Sequence, residues 1–82
     1  MASYAPSSKD LDDLEAIFTF HPVSGDQPAR YQALRAQAKS LALSIVALCP
    51  PSRERSVAIT NLQQAVMWAN AAIAINEAEE AR

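Results

Sequence analysis

Tyr31-Gln32-Ala33-Leu34-Arg35-Ala36-Gln37-Ala38-Lys39-Ser40-Leu41-Ala42-Leu43-Ser44-Ile45-Val46-Ala47-Leu48-Cys49-Pro50-Pro51-Ser52 decides the fold. Tyr31, Leu34, Ala38, Leu41, Ile45 and Leu48 are spaced 3, 4, 3, 4 and 3, which is a helical seam of nearly heptad regularity. Gln32, Arg35 and Lys39 form a second row on another face, with Arg35 and Lys39 one turn apart. Cys49-Pro50-Pro51 then ends the helix, because proline lacks an amide hydrogen and clashes with the preceding turn. The chain must reverse there, and Ser52 is a suitable N-cap for a further helix.

On the far side of the turn, Ala58, Leu62, Ala65, Ala69 and Ala72 form a narrow stripe of small residues. Ile59, Val66 and Ile73 form a bulkier stripe one position along. The combined face is too wide for one partner helix. A helix over about 52–79 is therefore expected to form an antiparallel hairpin with one over about 28–48, leaving apolar surface for a first helix or another subunit. Within it, Met67-Trp68-Ala69-Asn70-Ala71-Ala72-Ile73-Ala74 holds the single tryptophan and four alanines, and reads as the packing centre of the subunit. Asn70 among apolar neighbours needs a hydrogen-bond partner, and a contact between subunits is the expected one. Glu77, Glu79 and Glu80 lie at the unfavourable end of the helix dipole, so fraying is expected there.

Upstream, Asp26 is the expected N-cap of the second helix, with Pro28 at or near its first position. Phe20 to Gln27 reads as a loop holding the single histidine and the single glycine. A short helix over about 8–19 is expected before it, with Ser7 and Asp10 in capping-box positions and Leu11, Leu14, Ile17 and Phe18 as one apolar stripe. His21-Pro22 ends it. Residues 1–7 are expected to be frayed. The fold class is all-α: a short helix plus a long hairpin, a single helical domain over 1–82.

The chain has 82 residues, half of them apolar. That is marginal for a monomer. One cysteine, Cys49, allows no internal disulfide, and one Cys with one His makes a structural zinc site a poor fit. Oligomerisation is the remedy left. Net charge is −2, which disfavours a polymeric nucleic-acid partner. The charge is uneven: −3 over 1–25, +3 over 26–56 and −2 over 57–82. A basic middle suits a compact anionic ligand, or simply solvated faces paired with acids elsewhere. There is no signal pattern, and no apolar run spans a bilayer, so a cytoplasmic protein without a membrane partner is expected.

The sequence is poor in catalytic groups. Along an antiparallel hairpin rising about 1.5 Å per residue, His21 and Cys49 stand roughly 30 Å apart. No phosphate loop, metal-ligand spacing or inward carboxylate pair occurs, so neither an enzyme nor a cofactor is expected. Binding chemistry is better represented. Phe20, His21 and Tyr31 are aromatic groups near one loop, followed by Arg30, Arg35 and Lys39. Aromatic faces stack on bases, and Arg and Lys neutralise phosphates. Each has a plainer role available: Tyr31 in the seam, His21 bonded to backbone in a turn, Phe20 plugging the loop. Arg53 and Arg55 oppose the dipole of the third helix and want an acid, with a salt bridge between subunits the expected one.

Phe20-His21-Pro22, the Gln27-to-Lys39 run, Cys49-Pro50-Pro51-Ser52-Arg53-Glu54-Arg55 and Ala65-Val66-Met67-Trp68-Ala69-Asn70-Ala71-Ala72-Ile73-Ala74 together resemble the phage anti-CBASS two family, related to the Thoeris anti-defence one proteins. The likeness spans about residues 18–76. It implies a compact helical homo-hexamer in the host cytoplasm. Such proteins are sponges that sequester cyclic nucleotide immune signals without cleaving them, so that the CBASS effector stays inactive. It implies 3′,3′-cGAMP-type cyclic dinucleotides held between two subunits by an aromatic residue and a lysine, with cyclic trinucleotides at separate sites. Thoeris-type relatives capture cyclic ADP-ribose isomers instead. On this likeness Lys39 matches the phosphate-binding lysine and Phe20 the stacking aromatic, with Tyr31 as its rival. His21 belongs to the same aromatic-His-Pro motif, and Arg30 and Arg35 match as further phosphate donors. Many relatives carry tyrosine at Phe20 and arginine at Ile75, which puts a hydroxyl contact and the trinucleotide site in doubt. The rival reading from a different class is a helical module that binds another protein through its wide apolar face.

Overall fold

A computed structural model describes residues 4–78. It contains α1 (Ser8–Phe18), α2 (Gln27–Leu48) and α3 (Arg53–Ala78), with no strand among the described residues. The all-α class and the hairpin are as expected, with helix ends shifted by single residues. Thr19 is extended rather than helical, Gln27 joins α2 ahead of Pro28, and Ser52 caps α3 from outside it. Glu79 and Glu80, where the end of α3 and the fraying tail were expected, lie outside the described residues, as do residues 1–3.

Local chemistry explains each start and stop. Ser7 Oγ accepts from the Asp10 amide at 3.0 Å, and Asp10 Oδ2 accepts from the Ser7 amide at 2.9 Å, the reciprocal capping box. At the hairpin tip, Ser52 Oγ accepts from the Arg55 amide at 3.1 Å. Arg55 departs from expectation. Its Nη1 reaches back across the turn and donates to the carbonyls of Val46 at 3.0 Å and Cys49 at 3.2 Å. A cation is favoured at a helix C-terminus, so Arg55 is compensated inside its own chain, by α2 carbonyls and not by an acid.

The only extensive helix packing among the described residues is α2 against α3. Tyr31, Leu34, Ala38, Ala42 and Ile45 line it from α2. Leu41 and Leu48 were expected in the seam but are 52% and 83% exposed. A helix of 3.6 residues per turn drifts about 20° per heptad, so the contact line steps from 38 to 42 instead of 41. From α3, Ala58, Ile59, Leu62, Val66, Ala69 and Ile73 are half-buried, while Ala65 and Ala72 face out.

The expectation that Trp68 centres the packing fails within the chain: it is 75% exposed. Helix α1 does not cover the hairpin either, and Leu11, Leu14, Ile17 and Phe18 stay exposed. No apolar side chain is fully buried among the described residues. The molecule is a flat body of 50 × 44 × 13 Å with 6751 Å² of accessible surface. A compact monomer of this mass exposes roughly 4,800 Å², so about 1,900 Å² is in excess.

Candidate functional site

The antiparallel hairpin brings the start of α2 beside the end of α3, and the loop before α2 folds over that junction. Gly25 makes the turn possible, with φ +56°, a left-handed conformation that suits glycine. The Gln27 amide donates to the Ser24 carbonyl at 3.1 Å, and the Ser24 amide donates to Gln27 Oε1 at 3.1 Å. Gln27 is buried and acts as the hub of the junction: its Nε2 donates to Glu77 Oε1 at 3.0 Å. Arg30 grips the same carboxylate with both terminal nitrogens, Nη1 to Oε2 at 2.7 Å and Nη2 to Oε1 at 2.5 Å. Asp26 Oδ1 adds a third contact to Arg30 Nη2 at 3.1 Å. Asp26 therefore makes no side-chain cap on α2 as expected; its carboxylate turns to the arginine one turn on.

The electrostatics follow from these bonds. Hydrogen bonds from Arg30 and then Gln27 hold the Glu77 carboxyl at about 2, well below its ordinary 4.5. The carboxylate in turn pushes the Arg30 guanidinium up. Glu77 was expected to fray at an unfavourable helix end. Instead it is the best-anchored acid among the described residues, because a guanidinium outweighs the dipole there.

Beside this clamp lies a cleft of about 330 Å³. Phe20, His21 and Ser24 line it from the loop, Gln27 from α2, and Ala74, Glu77 and Ala78 from α3. Phe20 is 83% exposed at its mouth. His21 Nε2 lies 2.6 Å from the Ala16 carbonyl, so it donates to the last turn of α1, the backbone contact expected of a turn histidine.

A second, more open recess of about 490 Å³ lies on α2, lined by Gln32, Arg35, Ala36, Ala38 and Lys39. It is the basic row anticipated from the spacing.

The six candidate residues therefore fall into separate places in one chain. Phe20 and His21 share the cleft, Arg35 and Lys39 share the recess, and Tyr31 is half-buried in the seam. Arg30, expected as a phosphate donor, has its terminal nitrogens on Glu77 and Asp26. Sequence reasoning missed Gln27 and Glu77 as site residues. The sequence carried only part of the signal: an antiparallel hairpin brings the end of α3 toward the start of α2, but the register that sets Glu77 on Arg30 is not in the spacing. Among the described residues no cluster of three metal-ligating side chains occurs, and no helix is long and apolar enough to cross a membrane. Cys49 is free and exposed. Asn70 Oδ1 and Arg30 Nε are buried without a hydrogen-bond partner among the described residues.

A protein-family model described as Acb2/Tad1, hairpin domain, matches residues 10–74. No curated protein and no solved structure matches the chain.

Proposed function

Because the chain belongs to the Acb2/Tad1 hairpin family, we propose that it is a non-enzymatic sponge for cyclic oligonucleotide immune signals, working in the host cytoplasm as a homo-oligomer, a hexamer on the family likeness. The observation that carries this reading is the family match, which spans the Phe20 loop, the Arg35–Lys39 row and the Trp68 run together. Physical features of the chain support it. The excess surface, and the lack of a fully buried apolar side chain among the described residues, fit a subunit that completes itself against copies of its own kind. The Phe20 cleft suits a base, and the Arg35–Lys39 recess suits phosphate. The two lie apart on one subunit, and a neighbouring copy supplies the missing half of each. A ligand enclosed between two subunits loses water on both sides, which strengthens every charge–phosphate contact. Capture of this kind needs affinity and abundance, not catalysis.

The test is isothermal titration with 3′,3′-cGAMP, cyclic tri-adenylate and a cyclic ADP-ribose isomer, followed by heat denaturation and chromatography of the released ligand. Tight binding with intact ligand recovered is the expected result, with the cyclic dinucleotide strongest. Linear products would replace the sponge with a phosphodiesterase. Absence of binding to all three would turn attention to a protein partner on the apolar face.

A further inference from the structure

The cleft under Phe20 holds a feature that neither stacking nor phosphate neutralisation uses. Glu77 lines it with a carboxylate held by Gln27 on Oε1 and by Arg30 on both oxygens. A carboxylate offers about four acceptor positions. Three are filled by these donors, and among the described residues none fills the fourth, on Oε2. An ionised carboxylate is acceptor-only, so it welcomes a hydrogen-bond donor and repels a carbonyl or a phosphate oxygen. Its partnership with Arg30 offsets its charge, so an anionic ligand is not driven from the cleft as a whole. His21 lines the same cleft with its Nε2 committed to the Ala16 carbonyl. An aromatic face at the mouth and a fixed carboxylate acceptor in the wall are what an amino-bearing base needs, and about 330 Å³ is within the range of small-ligand sites.

We infer that this cleft is a nucleobase pocket in which Glu77, held by Arg30 and Gln27, accepts a hydrogen bond from an exocyclic amino group and so selects adenine or guanine over bases without one. The inference rests on the sponge reading and adds to it the residue that sets base preference. Selection follows from the asymmetry of hydrogen bonding. A matched donor makes a charge-assisted bond, whereas hypoxanthine sets a carbonyl against the carboxylate where adenine has its amino group and leaves a bare C–H where guanine has its own.

The experiment titrates the full chain with cyclic di-AMP, cyclic di-GMP and cyclic di-IMP, whose hypoxanthine lacks the amino groups of both other bases. The better amino-bearing ligand should bind at least about tenfold more tightly than cyclic di-IMP. In Glu77→Gln the amide can donate to a carbonyl, so the gap should close to within a few-fold, with cyclic di-IMP gaining. Circular dichroism checks that the variant is helical. If it is not, the wild-type comparison alone decides. Equal wild-type binding of amino-bearing and inosine ligands overturns the inference and leaves the sponge standing. So does a folded Glu77→Gln that keeps the discrimination. Binding of none of the three removes the dinucleotide reading, and the inference falls with it.

Discussion

Trp68→Ala is the sharpest perturbation of the proposed assembly. Trp68 is 75% exposed in the single chain, so its removal leaves α2 and α3 packed much as before. A tryptophan can bury up to about 250 Å², so roughly 190 Å² of it remains for a partner to cover. At about 25 cal/mol per Å² this is worth close to 5 kcal/mol when fully covered, and about 3 kcal/mol with allowance for the area that alanine still buries. Each 1.4 kcal/mol is tenfold in a dissociation constant. The variant should therefore dissociate at concentrations at least about a hundredfold higher than the parent, with every subunit contact of this kind adding to the loss. Sedimentation equilibrium over a concentration series reads this, and far-UV circular dichroism on the same samples reads helicity. An assembly unchanged in mass across the series would refute the argument that Trp68 sits between copies. A variant that stays assembled but loses ligand would move Trp68 to the binding surface.

The remaining predictions concern the two recesses and the loop between α1 and α2. Lys39→Ala should weaken cyclic dinucleotide binding at least about tenfold in titration, the scale of a lost charge-assisted bond, without changing the oligomer mass. Gly25→Ala places a Cβ in open space but in the left-handed region, so its cost is backbone strain alone, about 1–2 kcal/mol, read as a lower unfolding temperature; Gly25→Asn should cost less. The Glu77 carboxyl is lowered from 4.5 to about 2 on folding, so its stabilisation is present above 4.5 and lost as pH falls toward 2. Thermal melts across that window should show a falling midpoint, and Glu77→Gln should flatten the fall; an identical slope in both proteins would remove Glu77 as its source.

What the sequence disclosed was whatever chemistry is local. The Ser7–Asp10 capping box, the Pro50-Pro51 reversal, the Ser52 cap and the Arg35–Lys39 row all lie within a few residues of one another, where spacing alone fixes geometry. The Arg30–Glu77 clamp is separated by 47 residues and depends on the register of the hairpin. A spacing rule could show that an acid near the end of α3 opposes the dipole, but not that a guanidinium waits beside it. Arg55 was misjudged for a related reason: the first turn of α3 lies against the last turn of α2, so a residue wrong for its own helix is right for its neighbour. The candidate site was legible as a set of residue types and illegible as a place. Periodicity assigns faces within a helix, but it does not say that Phe20 and Lys39 lie in different recesses.

That separation carries a consequence for how capture and assembly depend on each other. A subunit with no fully buried apolar side chain among its described residues and about 1,900 Å² of excess surface has little to stabilise it alone. The excess is more than twice the roughly 800 Å² that each partner gives to a standard protein interface, enough for two such contacts per chain and including the exposed leucines and Phe18 of α1. If base and phosphate contacts come from different copies, ligand binds the assembled form and not the separated chain. Mass action then makes ligand a stabiliser of the oligomer: at a hundredfold above its dissociation constant, one site contributes about 2.7 kcal/mol. The variants designed to weaken assembly should accordingly be rescued by ligand, Trp68→Ala most of all. A mutation in either recess should remove that rescue without weakening the empty oligomer.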